Sequence, residues 1–100
     1  MTSTPLKRAW LCTSGDCRGA KGHKKLRAAL ADAGVSVREV GCQDICKGPV
    51  AGLKIDQELR WYKRLRGWRL RRALLGSIGQ GAPTRKLKEQ EAKKRRGKLR

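Results

Sequence analysis

His23-Lys24-Lys25-Leu26-Arg27-Ala28-Ala29-Leu30-Ala31-Asp32-Ala33-Gly34-Val35-Ser36-Val37-Arg38-Glu39-Val40 is the stretch whose reading decides the fold. Its first part has a helical period. Leu26, Ala29, Leu30 and Ala33 fall at i, i+3, i+4 and i+7 and form one apolar stripe, with Lys24, Lys25 and Asp32 off it. Gly34 supplies the stop, because glycine takes a left-handed conformation without steric cost. The rest alternates: Val35 and Val37 are separated by a polar residue, and β-branched side chains favour a strand. A helix from about His23 to Ala33, followed at once by a strand over 35–40, is half of a βαβ unit.

The other half lies upstream. Lys7 to Cys12 (KRAWLC) has the short apolar centre Ala9-Trp10-Leu11 and reads as a first strand, with residues 1–6 as a frayed lead-in. Thr13 to Gly22 carries Gly15, Gly19 and Gly22 and reads as a loop. Strand, helix and strand with short connections predict a parallel, right-handed unit. Downstream, Pro49 suits the start of a strand, since it cannot donate to a ladder. Val50 to Ile55 is a third strand and Glu58 to about Lys63 a fourth, joined by the short hairpin turn Asp56-Gln57. A second helix is expected over Leu65 to Gly76. Leu70, Leu74 and Ile78 lie one turn apart, Leu75 and Trp68 on the flank, and Arg66, Arg69, Arg71 and Arg72 on the other face. Gly76, Gly79, Gly81 and Pro83 punctuate the end of ordered structure. Residues 84–100 contain nine Lys/Arg, two Glu and almost nothing apolar, which predicts disorder, or a helix only when bound. The expected fold class is therefore α/β: a small four-stranded mixed sheet in the order βαβββα with two helices. The expected domain covers 7–78, and a basic, disordered C-terminal tail covers 79–100.

A chain of 100 residues makes one domain with a modest core. Its net charge of +18, from 26 Lys+Arg against 8 Asp+Glu, attracts nucleic acid, anionic lipid or an acidic protein face. Arginine-rich coding bias and a solvated tail account for much of the same excess. Trp61-Tyr62-Lys63-Arg64 and Trp68 interleave rings with cations, a pattern that can stack nucleic acid. Core packing of Trp61 and Trp68 under arginine side chains is the favoured reading. Lys93-Lys94-Arg95-Arg96 would bind any polyanion. No long apolar stretch follows the basic residues near Met1, and no apolar run approaches the roughly 20 residues of a bilayer span. The expected location is the cytoplasm, where thiols stay reduced.

All four cysteines fall in two close pairs: Cys12 and Cys17 spaced C-x4-C, and Cys42 and Cys46 spaced C-x3-C, with 24 residues between. Each pair begins where a strand of the parallel unit ends. Both pairs should therefore emerge at the carboxyl edge of the sheet, where open α/β sheets bind ligands. Clustered cysteines in a reducing compartment more often hold metal than form disulfides. His23 is the only histidine, so a Rieske centre and a two-cysteine, two-histidine zinc site are excluded. Four thiolates suit a two-iron cluster or an all-cysteine zinc site, though zinc modules favour C-x2-C knuckles. His23 itself reads as an ordinary residue at a helix start. Paired carboxylates, a nucleophile–base constellation and a phosphate loop are lacking, so the chain is not expected to be an enzyme.

The four cysteines, with Gly41 before Cys42 and Lys47-Gly48-Pro49-Val50 after Cys46, resemble the thioredoxin-like [2Fe-2S] ferredoxins, which include the small cluster-bearing subunit of the respiratory NADH dehydrogenase. The resemblance covers about residues 7–78. It implies a thioredoxin-like fold without the redox C-x-x-C, and a [2Fe-2S] cluster ligated by Cys12, Cys17, Cys42 and Cys46. The shorter spacer between the pairs points to a stand-alone small ferredoxin, a one-electron carrier that docks by charge on an acidic redox partner. Backbone N–H groups at Gly15, Gly19, Gly41 and Gly48, with Arg18 and Lys47, would favour the reduced cluster, and Asp16 and Asp44 would oppose it. The tail leaves nucleic acid open as a second partner, and a homodimer is compatible with the sequence. The rival from another class is a basic nucleic-acid-binding module with a structural all-cysteine zinc site.

Overall fold

The computed structural model describes residues 6–13, 22–41, 43, 48–55, 57–97 and 99. Strands β1 (Arg8–Cys12), β2 (Ser36–Val40), β3 (Ala51–Ile55) and β4 (Glu58–Tyr62) form one sheet in the order β2-β1-β3-β4. β1 and β2 are parallel, with Cys12 opposite Val40, and β3 runs antiparallel to both β1 and β4. Helix α1 (His23–Asp32) joins β1 to β2, and helix α2 (Trp68–Gln80) follows β4. The expected mixed α/β sheet and its βαβββα order are therefore present. The Gly48–Pro49 peptide is cis.

Local chemistry explains the elements. α1 ends at Gly34, whose φ is +74°. The Gly34 N–H bonds the Ala31 carbonyl at 3.0 Å, and the Val35 N–H bonds the Leu30 carbonyl at 3.1 Å. That paired closure, with Val35 packing in the same core cluster as Leu30, turns the chain directly from helix into strand. The buried stripe of α1 is His23, Leu26 and Leu30; Ala33, assigned to it from sequence, is exposed.

The two sheet faces differ. On one, Ala9, Leu11, Ala51, Leu53, Ile55 and Tyr62 meet Leu26 and Leu30 of α1 and Leu74 and Ile78 of α2. On the other, Trp10, Cys12, Val50 and Trp61 form a smaller cluster. Trp10, Gly52 and Trp61 are register partners across three strands. A Cβ built on Gly52 would stand 2.9 Å from the Trp61 ring, so the absence of a side chain there makes room for the indole.

Four expectations need correction. The second helix runs 68–80 instead of 65–76. Arg64 (φ 53°) and Gly67 (φ 83°) turn the chain before it, and Leu65 is buried in that connection. Gly76 and Gly79 sit on the exposed side and do not end the helix; Gly81, at φ 73°, does. Trp68, expected to cover the core, is 58 % exposed, while Leu65 is fully buried in the core cluster. The tail expected to be disordered from 79 is ordered among the described residues 81–97. It contains a third helix, α3 (Arg85–Lys88), and a short 3-10 turn at Lys93–Arg95. Thr84 caps α3 by accepting the Leu87 N–H at 3.3 Å, and Leu87 is fully buried in the helix-side core. Ser77 of α2 ties in the same corner, donating to Ala73 at 2.8 Å and accepting the Thr84 N–H at 2.9 Å. Residues 90–97 then run along the open edge of β4: Lys63 bonds Gln90, Ala92 bonds Trp61 and Gly97 bonds Leu59. Composition signalled disorder because backbone pairing to a bare sheet edge needs no apolar side chains. Among the described residues no helix is long and apolar enough to cross a membrane.

Candidate metal centre

The parallel pairing of β1 and β2 creates the candidate site. Both strands end at the same edge, and β3 begins there, antiparallel. Cys12 is the last residue of β1 and is 1 % exposed. Its N–H bonds the Val50 carbonyl at 3.0 Å, which fixes it between the end of β2 and the start of β3. The next residue, Thr13, binds the Val40 carbonyl twice, from its N–H at 2.9 Å and from its hydroxyl at 3.3 Å.

His23 closes the other end of the first cysteine-bearing loop. It opens α1, is 5 % exposed, and its Nε2–H donates to the Cys12 carbonyl at 3.1 Å. The two flanks of that loop, Thr13 and His23, therefore meet at the end of β1. The second loop has both flanks at the same edge as well. Gly41 continues β2, and Pro49 and Val50, both buried, lead into β3. The Pro49 carbonyl accepts the Leu65 N–H at 3.1 Å. Within the second pair's span, Gln43 is 1 % exposed; its Nε2 donates to the Gly41 carbonyl at 3.0 Å. Its Oε1 accepts from Arg95 at 3.5 Å, a long contact.

Of the four expected ligands, only Cys12 is among the described residues. Cys17, Cys42 and Cys46 lie outside them, as do Asp16, Arg18, Asp44, Lys47 and the glycines at 15 and 19. Among the described residues no three His, Cys, Asp or Glu side chains are grouped closely enough to hold a metal ion. The Cys12 side chain packs with Trp10, Val50 and Trp61 in an apolar cluster.

Three residues at this edge were not read from sequence as part of it. The signal for His23 was available: His23, Leu26 and Leu30 fall at i, i+3 and i+7, which places the imidazole on the buried stripe. Gln43 and Arg95 carried no such signal, since their meeting depends on how residues 90–97 cross the molecule. The chain was compared with family models, curated proteins and solved structures, and none of the three produced a match.

Proposed function

We propose that the protein is a one-electron carrier that holds a [2Fe-2S] cluster through Cys12, Cys17, Cys42 and Cys46, akin to the thioredoxin-like ferredoxins. One observation carries the reading: the flanks of both cysteine-bearing loops, Thr13 and His23 for one and Gly41 and Pro49 for the other, lie at a single sheet edge. Two loops anchored so closely can present their thiolates to one inorganic core, and four thiolates are the usual donor set of a two-iron cluster. Bound there, the cluster supplies a one-electron couple. The chain's own residues do the rest. His23 pins the carbonyl of the first ligand, so the loop starts from a fixed point. Trp10, Val50 and Trp61 keep the Cys12 side chain dry. The net charge of +18 favours docking on an acidic redox protein in the reducing cytoplasm, and the carrier needs no substrate of its own.

Anaerobic purification tests the proposal directly. The expected protein is red-brown, contains iron and acid-labile sulfide in equal amounts, and gives an EPR signal on reduction. Cys12→Ser should strip most of both elements while the far-ultraviolet circular dichroism of the sheet and helices persists. A colourless protein carrying stoichiometric zinc would refute it.

A further inference from the structure

Trp68 is the feature that neither the core nor the cysteine edge uses. It opens α2, is 58 % exposed, and carries the Arg69 guanidinium 5.5 Å from its ring centroid. Beside it runs an open groove between α2 and α3, lined by Trp68, Arg69, Arg72, Ala73, Thr84 and Lys86. Three of those six residues are cations and none is an acid. Among the described ion pairs, the acids Glu39, Glu58 and Glu91 are matched with Arg27, Arg60 and Arg96, and none engages Arg69, Arg72 or Lys86. The groove thus combines an exposed indole with cations that lack a described counter-charge, on a chain of net charge +18.

We infer that this groove binds single-stranded nucleic acid: one base joins the Trp68–Arg69 stack, and the flanking phosphates bind Arg72 and Lys86. The pairing of ring and cations matches what a single strand offers, a π-face beside a chain of charges. A duplex fits less well, because its bases are stacked on one another and only its phosphates remain. An acidic protein fits less well too. Aromatic anchors in protein interfaces sit inside a ring of residues that exclude water, and among the described lining residues Ala73 is the ring's one apolar neighbour. The inference goes beyond the electron-carrier reading and does not depend on it, since no cysteine takes part.

The test uses the full chain and fluorescence anisotropy of labelled oligouridylate, oligodeoxythymidylate and a duplex of equal length, over a series of salt concentrations. Trp68→Ala should weaken both single strands by about 5- to 150-fold, the stacking of one base, and change duplex binding less than about twofold. Trp68→Phe should stay near the native affinity. Arg72→Ala combined with Lys86→Ala should flatten the slope of log K against log salt by about 1.4 for single strands. Equal affinity for the two strands, or a preference for either, agrees with the inference and reports whether the sugar is read. Single-strand binding unchanged in Trp68→Ala would overturn it as mere charge attraction. Trp68-dependent binding of a poly-glutamate peptide at least as tight as that of the oligonucleotides would overturn it in favour of an acidic protein partner.

Discussion

The helix-side face of the sheet and its opposite face are closed by different means. On the helix side, Leu26, Leu30, Leu74, Ile78 and Leu87 are inserted from three helices against Leu11, Leu53 and Ile55. On the other side the cluster is Trp10, Cys12, Val50 and Trp61, and the segment passing it, Glu91-Ala92-Lys93-Lys94-Arg95-Arg96-Gly97, brings one apolar residue, Ala92, into contact. The first face is closed by apolar side chains inserted from helices; beside the second, among the described residues, runs a segment held by backbone hydrogen bonds to the edge of β4. The difference separates stability from placement. The aliphatic face holds the fold together, and the tryptophan face shapes the surroundings of Cys12.

Leu74→Ala gives the largest expected effect. The side chain is fully buried between α2 and the sheet, and such truncations cost about 2–5 kcal/mol. At about 4–8 °C per kcal/mol for a domain of this size, the melting midpoint should fall by at least about 8 °C. A fall smaller than that caused by a substitution on the tryptophan face would undo the assignment of stability to the helix side.

Gly52→Ala sharpens the comparison from the other face. The new methyl would meet Trp61 at 2.9 Å and Leu59 at 3.3 Å, so the indole or β4 must shift. Overpacking of this kind costs about 1–3 kcal/mol, less than the cavity at Leu74. The expected outcome is a smaller drop in melting temperature together with a shifted tryptophan emission, since Trp61 is fully buried and would change its surroundings. Unchanged emission would show that the close approach of Gly52 to the ring is not what seats it.

How much could be read in advance divides along the same line. The βαβ unit was legible because Leu26 and Leu30 keep a helical period and Gly34 ends the helix where its positive φ is needed. The single edge for the flanks of both cysteine-bearing loops followed from the parallel pairing of two short strands, so the placement of Cys12 at that edge was legible too. The order of residues 81–97 was not. Their lysine- and arginine-rich composition reads as a solvated tail, although Thr84 caps α3 three residues before the buried Leu87. Backbone pairing to β4 leaves no trace in side-chain pattern, and neither does the contact of Arg95 with Gln43, which spans fifty-two positions. Trp68 opens α2 on the flank of the Leu74–Ile78 stripe, and the period that fixes the stripe leaves the burial of such a flanking ring undecided.

Tyr62 offers the gentlest probe of the edge, because it is the chain's single tyrosine and bridges to Glu91 in the covering segment. Burial raises its phenol to about 12, the Glu91 carboxylate adds to the rise, and Arg60 and Arg96 work against it. The Glu91 carboxylate is held in turn by Arg96, with Nη2 at 2.6 Å and Nε at 2.7 Å. A phenol with a raised folded value keeps its proton where the unfolded chain has lost it. Its contribution to stability is therefore complete below about pH 10 and is lost as pH rises from there to about 12. A spectrophotometric titration of the native protein should show tyrosinate only near the upper value, and of the urea-unfolded chain near the lower one. Glu91→Gln removes one of the two raising influences and leaves both arginines, so its midpoint should fall below the native one while staying above the unfolded one. A native midpoint at the ordinary tyrosine value would mean that the Tyr62 phenol is not buried beside Glu91 in solution, and the account of the β4 edge would fail.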